Sequence, residues 1–320
     1  MKLLDKTISQ MTMPTPFPVG DVHVYLLKGD TLSLVDAGVK TKEAWEALTI
    51  QLNELGYGPE DIEQVILTHH HPDHMGLVDK FPRLKDIVAH QDVDLWLRRD
   101  PVYFEHYEQF FYEFFLQCGI PSEFLAELNK LKTPLKYIGE GHLTGIIQEG
   151  HTLPGHEEWR VIETAGHAQS HLSFLREQDG AFIGGDHLLE HISPNPLLEP
   201  PRIGETSRSK PMLQYRKNLL KCLDLDIRKV FPGHGKIFTD TAGMIPVRLE
   251  KQEQRAGKVH SLLEAKPQTV FELCRQIFPR QYEKQLDLTI SETVGQLDFL
   301  EDENRVEKTL RDGVFYYHAK

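Results

Sequence analysis

The sequence predicts a mixed α/β protein: a sandwich of sheets with helices outside, followed by a small C-terminal α+β domain. Three observations predict it. Short β-type runs and amphipathic helical runs alternate, strands first and then interleaved helices, twice over before residue 248. Four of the apolar runs end in tight turns that deliver histidine or aspartate, and strand-end loops are where α/β folds place their sites. The remaining stretch, 248–320, reads as three helices and a β-hairpin, the proportions of a winged helix.

The composition fits that class. Hydrophobic residues make up 40% and charged residues 26% of the 320, which excludes a disordered, collagen-like or membrane-embedded chain. No run approaches the roughly 18 apolar residues that a membrane-spanning helix needs. Met1–Phe17 has no apolar stretch and carries Pro14 and Pro16, so no signal peptide is expected. Cys118, Cys222 and Cys274 are widely spaced and never form C-x-x-C. Neither a disulfide framework nor a cysteine-based zinc site is expected, and a cytoplasmic, reducing location is. A net charge of −12 repels polyanions unless a local basic patch overrides it. The unusual number is 17 histidines.

Val22–Leu27 and Leu32–Val35 read as strands joined by Lys28-Gly29-Asp30. Thr41–Leu55 has helical spacing (Trp45, Leu48, Leu52, Leu55) and stops at Gly56, which suits a helix C-cap. Val65–Leu67 and Asp86–Ala89 are short buried strands. Residues 92–132 form a helical insertion dense in aromatics, from Trp96 through Tyr103, Phe104, Tyr107, Phe110, Phe111, Phe114 and Phe115. Helix-spaced aromatics ordinarily form core; the competing reading makes this insertion an apolar wall for an acyl group. Its stripe puts Phe104, Phe111 and Phe115 on one side and Tyr107, Phe110 and Phe114 on the next. Strand-like runs return at Gly145–Gln148, Arg160–Glu163, Leu172–Leu175 and Ala181–Ile183. Met212–Leu223 is an amphipathic helix and Lys229–Phe231 a last buried strand. In the tail, Leu249–Leu263, Val270–Phe278 and Leu288–Leu300 are helices, and Arg305–Leu310 and Gly313–Tyr317 strands around Asp312-Gly313. The domains are thus 1–247 and 248–320.

The chemistry lies in the four turns. Val65–Thr68 leads into His69-His70-His71-Pro72-Asp73-His74, Val161–Thr164 into Ala165-Gly166-His167, Ala181–Ile183 into Gly184-Gly185-Asp186-His187, and Lys229–Phe231 into Pro232-Gly233-His234-Gly235. Imidazole and carboxylate without thiolate suit zinc and also accommodate iron or manganese. In H-x-H-x-D-H, one loop can send His69 and His71 to one metal while the Pro72 turn aims Asp73 and His74 at another. His70, His171, His187 and His191 stay ambiguous: alternation excludes His70 from the metals, and His187 and His191 are candidates to face substrate.

These motifs, in this order, resemble the metallo-β-lactamase superfamily over about Val19–Phe238. The resemblance implies an αββα sandwich. It implies that His69, His71 and His167 hold a first metal and Asp73, His74 and His234 a second, with Asp186 bridging and Asp73 the catalytic candidate. Asp36, in Val35-Asp36-Ala37-Gly38, matches the family's strand-end aspartate, usually a supporting residue. Two divalent ions, zinc first, would activate a bridging hydroxide against a carbonyl or phosphoryl centre. The aromatic insertion and acidic charge favour a small-molecule thioester, ester or lactone; no G-x-S-x-G elbow offers a serine route.

The tail also resembles that of a beta-lactamase-like subgroup that includes a mitochondrial endoribonuclease. Nuclease or phosphodiesterase activity is therefore the rival, beside a mononuclear iron persulfide dioxygenase and a DNA-binding regulator. Charge opposes the nucleic-acid readings: residues 248–320 carry 12 Lys and Arg against 13 Asp and Glu, and Leu288–Glu303 carries no basic residue. A structural or dimerising tail is expected, which leaves a homodimer open, with no nucleic-acid or membrane partner.

Overall fold

The computed structural model describes residues 2–3, 5–125 and 132–320. Its first sheet has seven strands in chain order: β1 (Lys2–Leu3), β2 (Ile8–Met13), β3 (Val22–Lys28), β4 (Leu32–Val35), β5 (Gln64–Ile66), β6 (Asp86–Ala89) and β7 (Gly145–Ile146). Pairs from β1 to β4 are antiparallel and those from β4 to β7 parallel. The second sheet contains β8 (Thr152–Leu153), β9 (His156–Glu163), β10 (Leu172–Arg176), β11 (Ala181–Gly185) and β12 (Lys229–Pro232), side by side in the reverse of chain order. The two sheets stack through an apolar layer, with Tyr25, Val35, Ile66 and Val88 on one side and Trp159, Val161, Phe174, Ile183 and Phe231 on the other. Strands β5, β10 and β11 are buried throughout, which is why apolar residues follow one another directly in Val65-Ile66, Phe174-Leu175 and Ala181–Ile183.

Helix α1 (Lys42–Glu54) starts at Thr41, whose hydroxyl accepts from the Ala44 N–H. It docks on β2 through Gln51, which accepts from the Thr12 N–H and donates to its carbonyl at 2.9 and 2.8 Å. Strand β2 is absent from the sequence reading because the prolines beyond it mask the alternation in Ile8–Met13. The short helices α2 (Pro72–Met75) and α3 (Val93–Leu97) follow β5 and β6.

The topology positions the site. Strands β9 and β11 both run antiparallel to β10 between them, and β11 runs parallel to β12. The carboxyl ends of β9, β11 and β12 therefore share one edge, and the turns carrying His167, Asp186 and His234 leave from it. A bridge between Val22 and His234 ties the start of β3 to the last of these turns.

By its internal packing the chain forms two units: Met1–Asp100, Pro134–Pro194 and Lys221–Thr241; and Pro101–Thr133, Asn195–Leu220 and Ala242–Lys320. The second contains α4 (Pro101–Gln117), most of α5 (Pro211–Leu223), and α6 (Thr241–Ala265) from Ala242 onward. It also contains β13 (Gln268–Thr269), α7 (Val270–Ile277), α8 (Leu286–Asp302), β14 (Val306–Arg311) and β15 (Val314–Ala319), the strands in the order β13-β15-β14. The boundary at 247/248 falls inside α6, which runs through Pro246 instead of beginning after it. Within this unit Phe111 and Phe115 of α4 share a core with Val259, Leu273, Ile290 and Leu297. Tyr107, Phe110 and Phe114 are half-buried against it, the two-sided split that the stripe predicts. Residues 126–131 of the insertion lie outside the described residues.

Candidate metal centre

Four turns and a supporting aspartate build the site. Asp36 follows β4 with φ +64°, a left-handed conformation that aspartate tolerates better than most residues. Its carboxylate accepts from the Thr68 N–H at 2.8 Å and from the Thr68 hydroxyl at 2.9–3.0 Å. It also holds His74 Nδ1 at 2.8 Å. Thr68 in turn meets His69 Nδ1 at 2.9 Å. One carboxylate thus orients both ends of the H-x-H-x-D-H turn, and leaves His69 Nε2 and His74 Nε2 facing inward.

Three sets of ligand atoms converge, each with members within 4.8 Å of one another: His69, His71 and His167; His69, His74 and Asp186; and Asp73, His74 and His234. The outer two coincide with the two sets that the resemblance implies. Asp186 lies between them, with Oδ1 3.5 Å from His74 Nε2 and Oδ2 3.5 Å from both His167 Nε2 and His234 Nε2. Asp73 Oδ2 is 3.2 Å from His234 Nε2. All seven expected ligands come together. His70 points away, bonded through Nδ1 to Ser170 Oγ at 2.8 Å and stacked on Trp96 at 4.5 Å between ring centres. His191 is exposed and paired with Glu190, and His187 is buried; neither joins a set.

The donors fit cations. His234 Nδ1 donates to the Asp21 carbonyl at 2.7 Å, so its proton is placed outward and Nε2 is left for a ligand role. The buried atoms His74 Nε2, His234 Nε2 and Asp186 Oδ1 have no hydrogen-bond partner among the described residues. Such orphans are costly unless a group outside the chain satisfies them. Electrostatics agree. Burial, followed by neighbouring imidazoles, pushes His69 and His71 well below the ordinary histidine range, leaving both neutral, as ligands must be. Burial opposes charge on His234 and His74 too, but Asp186 and Asp73, joined at His74 by Asp36, hold His234 up to about 10 and raise His74 well above its usual value. Without a cation, protons on these two rings balance the carboxylates; a metal would displace them. Burial takes His70 down to about 3.

Glycine makes the approach possible. A Cβ on Gly233 would lie 2.3 Å from Asp186 Oδ1 and 2.9 Å from His74 Cε1, so only glycine lets the β12 turn pass beneath them. Sequence reasoning missed His23, whose Nε2 donates to the Gly235 carbonyl at 2.6 Å and whose N–H donates to the Gly233 carbonyl at 2.7 Å. Nothing in the apolar run of β3 marks it as a brace for a turn more than two hundred residues away. It also missed Ser170, and it placed Trp96 only in the aromatic insertion, without its stacking on His70.

A two-layer α/β sandwich with histidines and aspartates gathered at its strand ends suits a metal-dependent enzyme, and the family and its relatives make that class a metal-dependent hydrolase. The chain belongs to the metallo-beta-lactamase superfamily, whose model matches residues 17–234. Over 305 residues, 95% of each chain, it is 40% identical to a Bacillus subtilis protein named probable metallo-hydrolase YqjP. It is 28% identical over 226 residues to metallo-beta-lactamase domain-containing protein 1 of Xenopus laevis, covering 68% of this chain and 72% of that one. Among solved structures it is similar to a metallo-beta-lactamase family protein of Thermus thermophilus, with TM-score 0.82, 27% identity, and coverage of 99% and 100%. A beta-lactamase domain protein of Burkholderia ambifaria shares the fold at TM-score 0.80 and 20% identity, with coverage of 100% and 94%. No helix among the described residues is long and apolar enough to cross a membrane.

Proposed function

We propose that this enzyme is a dinuclear metal-dependent hydrolase of small thioesters, esters or lactones. The observation that carries the reading is Asp186: one buried carboxylate faces histidines of both outer sets, at 3.5 Å from each, which is the placement of a bridging ligand. His69, His71 and His167 would hold one ion and Asp73, His74 and His234 the other. When bound, divalent ions here, zinc first by donor chemistry, supply Lewis acidity and activate water at neutral pH. Asp73 and Asp186 provide the negative charge that retains the ions. The outward-donating Nδ1 of His234 and the Asp36-bound Nδ1 of His74 fix ring orientation, so little reorganisation accompanies reaction.

An acyl substrate is preferred to a phosphodiester because the chain is acidic and the helix that would enter a nucleic-acid groove is enclosed. Thirteen residues of α8 are buried, and its Asp298 and Glu292 are engaged by Arg208 and Arg255. The experiment is metal analysis of the purified protein joined to a panel of thioester, ester, lactone and phosphodiester substrates. Two ions per chain with acyl turnover is the expected result. One ion per chain with persulfide oxidation, or turnover of phosphodiesters alone, would overturn it.

A further inference from the structure

We propose that His171 is a positioning residue for Asp186, held as the neutral Nδ1–H tautomer by a closed circuit of hydrogen bonds that begins and ends on the Gly184-Gly185-Asp186 turn. The inference rests on the reading of Asp186 as a metal ligand.

The circuit is directed by one donor whose direction is certain. The backbone N–H of Asp186 points at His171 Nε2, 3.0 Å away. An N–H can only donate, so Nε2 carries a lone pair and the ring proton sits on Nδ1. Nδ1 lies 2.8 Å from Thr164 Oγ1 and donates to it. Thr164 Oγ1 is 2.9 Å from Ser173 Oγ and has one proton, which goes there. Ser173 Oγ donates in turn to the Gly184 carbonyl at 3.3 Å. Every proton has one use, and the chain closes two residues from where it began. Thr164, His171, Ser173 and Gly184 are all buried, so water cannot substitute for a missing member without repacking.

The fit is steric as well. Gly185 has φ +48°, and a Cβ there would lie 2.8 Å from His171 Nε2; the imidazole occupies the space that glycine leaves. From the other side the Gly233 N–H donates to the Gly185 carbonyl at 2.7 Å. The turn that aims Asp186 is thus held by His171, Ser173 and Gly233 together. His171 itself joins none of the three ligand sets, so its part is to orient and not to bind.

The test begins on the metal-free full-length protein with ¹⁵N-labelled histidine, the His171 ring assigned by its loss in His171→Gln. Expected is an unprotonated Nε2 and a protonated Nδ1; an Nε2–H tautomer or an imidazolium would overturn the proposal. Next come Thr164→Val, which keeps the shape and removes the relay, and Thr164→Ser, which keeps the hydroxyl. Thr164→Val is expected to speed amide exchange at Asp186 and to weaken zinc binding, measured by chelator competition, by about ten- to a hundredfold, while Thr164→Ser stays close to the parent in both. Equal behaviour of the two variants would sink the idea. If Thr164→Val fails to fold, Ser173→Ala breaks the circuit one link further on and takes its place. A parent protein that binds no zinc would refute the metal reading, whereas the tautomer and the Asp186 exchange rate still decide the circuit.

Discussion

Asp36 carries more of the site than its place in the chain, far ahead of the candidate ligands, suggests, because its carboxylate serves Thr68 and His74 at once. Asp36→Asn keeps the shape and suits the left-handed backbone, but weakens the acceptor that orients His74. Zinc affinity is expected to fall about ten- to a hundredfold, read by chelator competition, with far-ultraviolet circular dichroism unchanged. Gly233→Ala acts by displacement: the new methyl would overlap Asp186 Oδ1 and must move the carboxylate. A shift near 1 Å at a reacting centre costs on the order of a hundredfold in kcat/KM; Gly233→Ala at parental activity would show that the carboxylate can move freely. His234→Ala and Asp73→Ala should each deplete the second ion more than the first. Stoichiometry by elemental analysis checks that, and loss of both ions together would argue against two separate sets.

At the scale of elements, the β1–β2 strap and the β10–β11 hairpin meet at Arg176, which binds Asp5 at 2.5 Å and Asp179 at 2.8 Å while lying over Trp159. Burial works against the Asp5 charge, but the guanidinium with the Thr7 amide and hydroxyl outweighs it and takes Asp5 down to about 2. Asp179 is lowered in the same direction, chiefly by its hydrogen bond from Arg176. Depressed carboxyl values mean that this stabilisation is complete above the ordinary carboxylate range and is lost as pH falls from about 4 towards 2. Denaturant titrations at pH 2–6 should therefore show a steeper acid loss in the parent than in Asp5→Asn; parallel curves would show that the cluster contributes nothing. Helix α4 is the second case. Phe111 and Phe115 are only 4% and 2% exposed, so Phe111→Ala should cost about 3–5 kcal/mol of stability and leave metal content alone. A selective rise in KM for long acyl chains with unchanged stability would restore the wall reading.

For the whole molecule, the metals should matter to one unit more than the other. Each ion bound at a thousand times its dissociation constant stabilises by about 4 kcal/mol, which for a unit of this size is on the order of 10 °C in Tm per ion. Chelation should therefore lower one calorimetric transition and leave a second, that of the unit containing α8, near its place. A single transition that chelation shifts as a whole would mean that the chain melts as one cooperative body. The net charge of −12 and the enclosure of α8 also predict no salt-dependent shift on random duplex DNA.

Residue order alone marked the four candidate ligand turns, because a metal site needs particular donor atoms at strand ends and those atoms are spelled out in Thr68–His74, Gly166-His167, Gly185-Asp186 and Gly233-His234. Period also located most strands and helices, since a buried face leaves a repeat of two or of three to four residues. Tertiary structure decided the rest. Whether His171 binds or braces depends on which atom lies 3.0 Å from its Nε2, and that atom is an amide fifteen residues away in the chain. Whether the aromatics of α4 cover a substrate or fill a core depends on partners in α6, α7 and α8, separated from it by more than a hundred residues. Spacing records which face of an element is apolar; it does not record what that face meets.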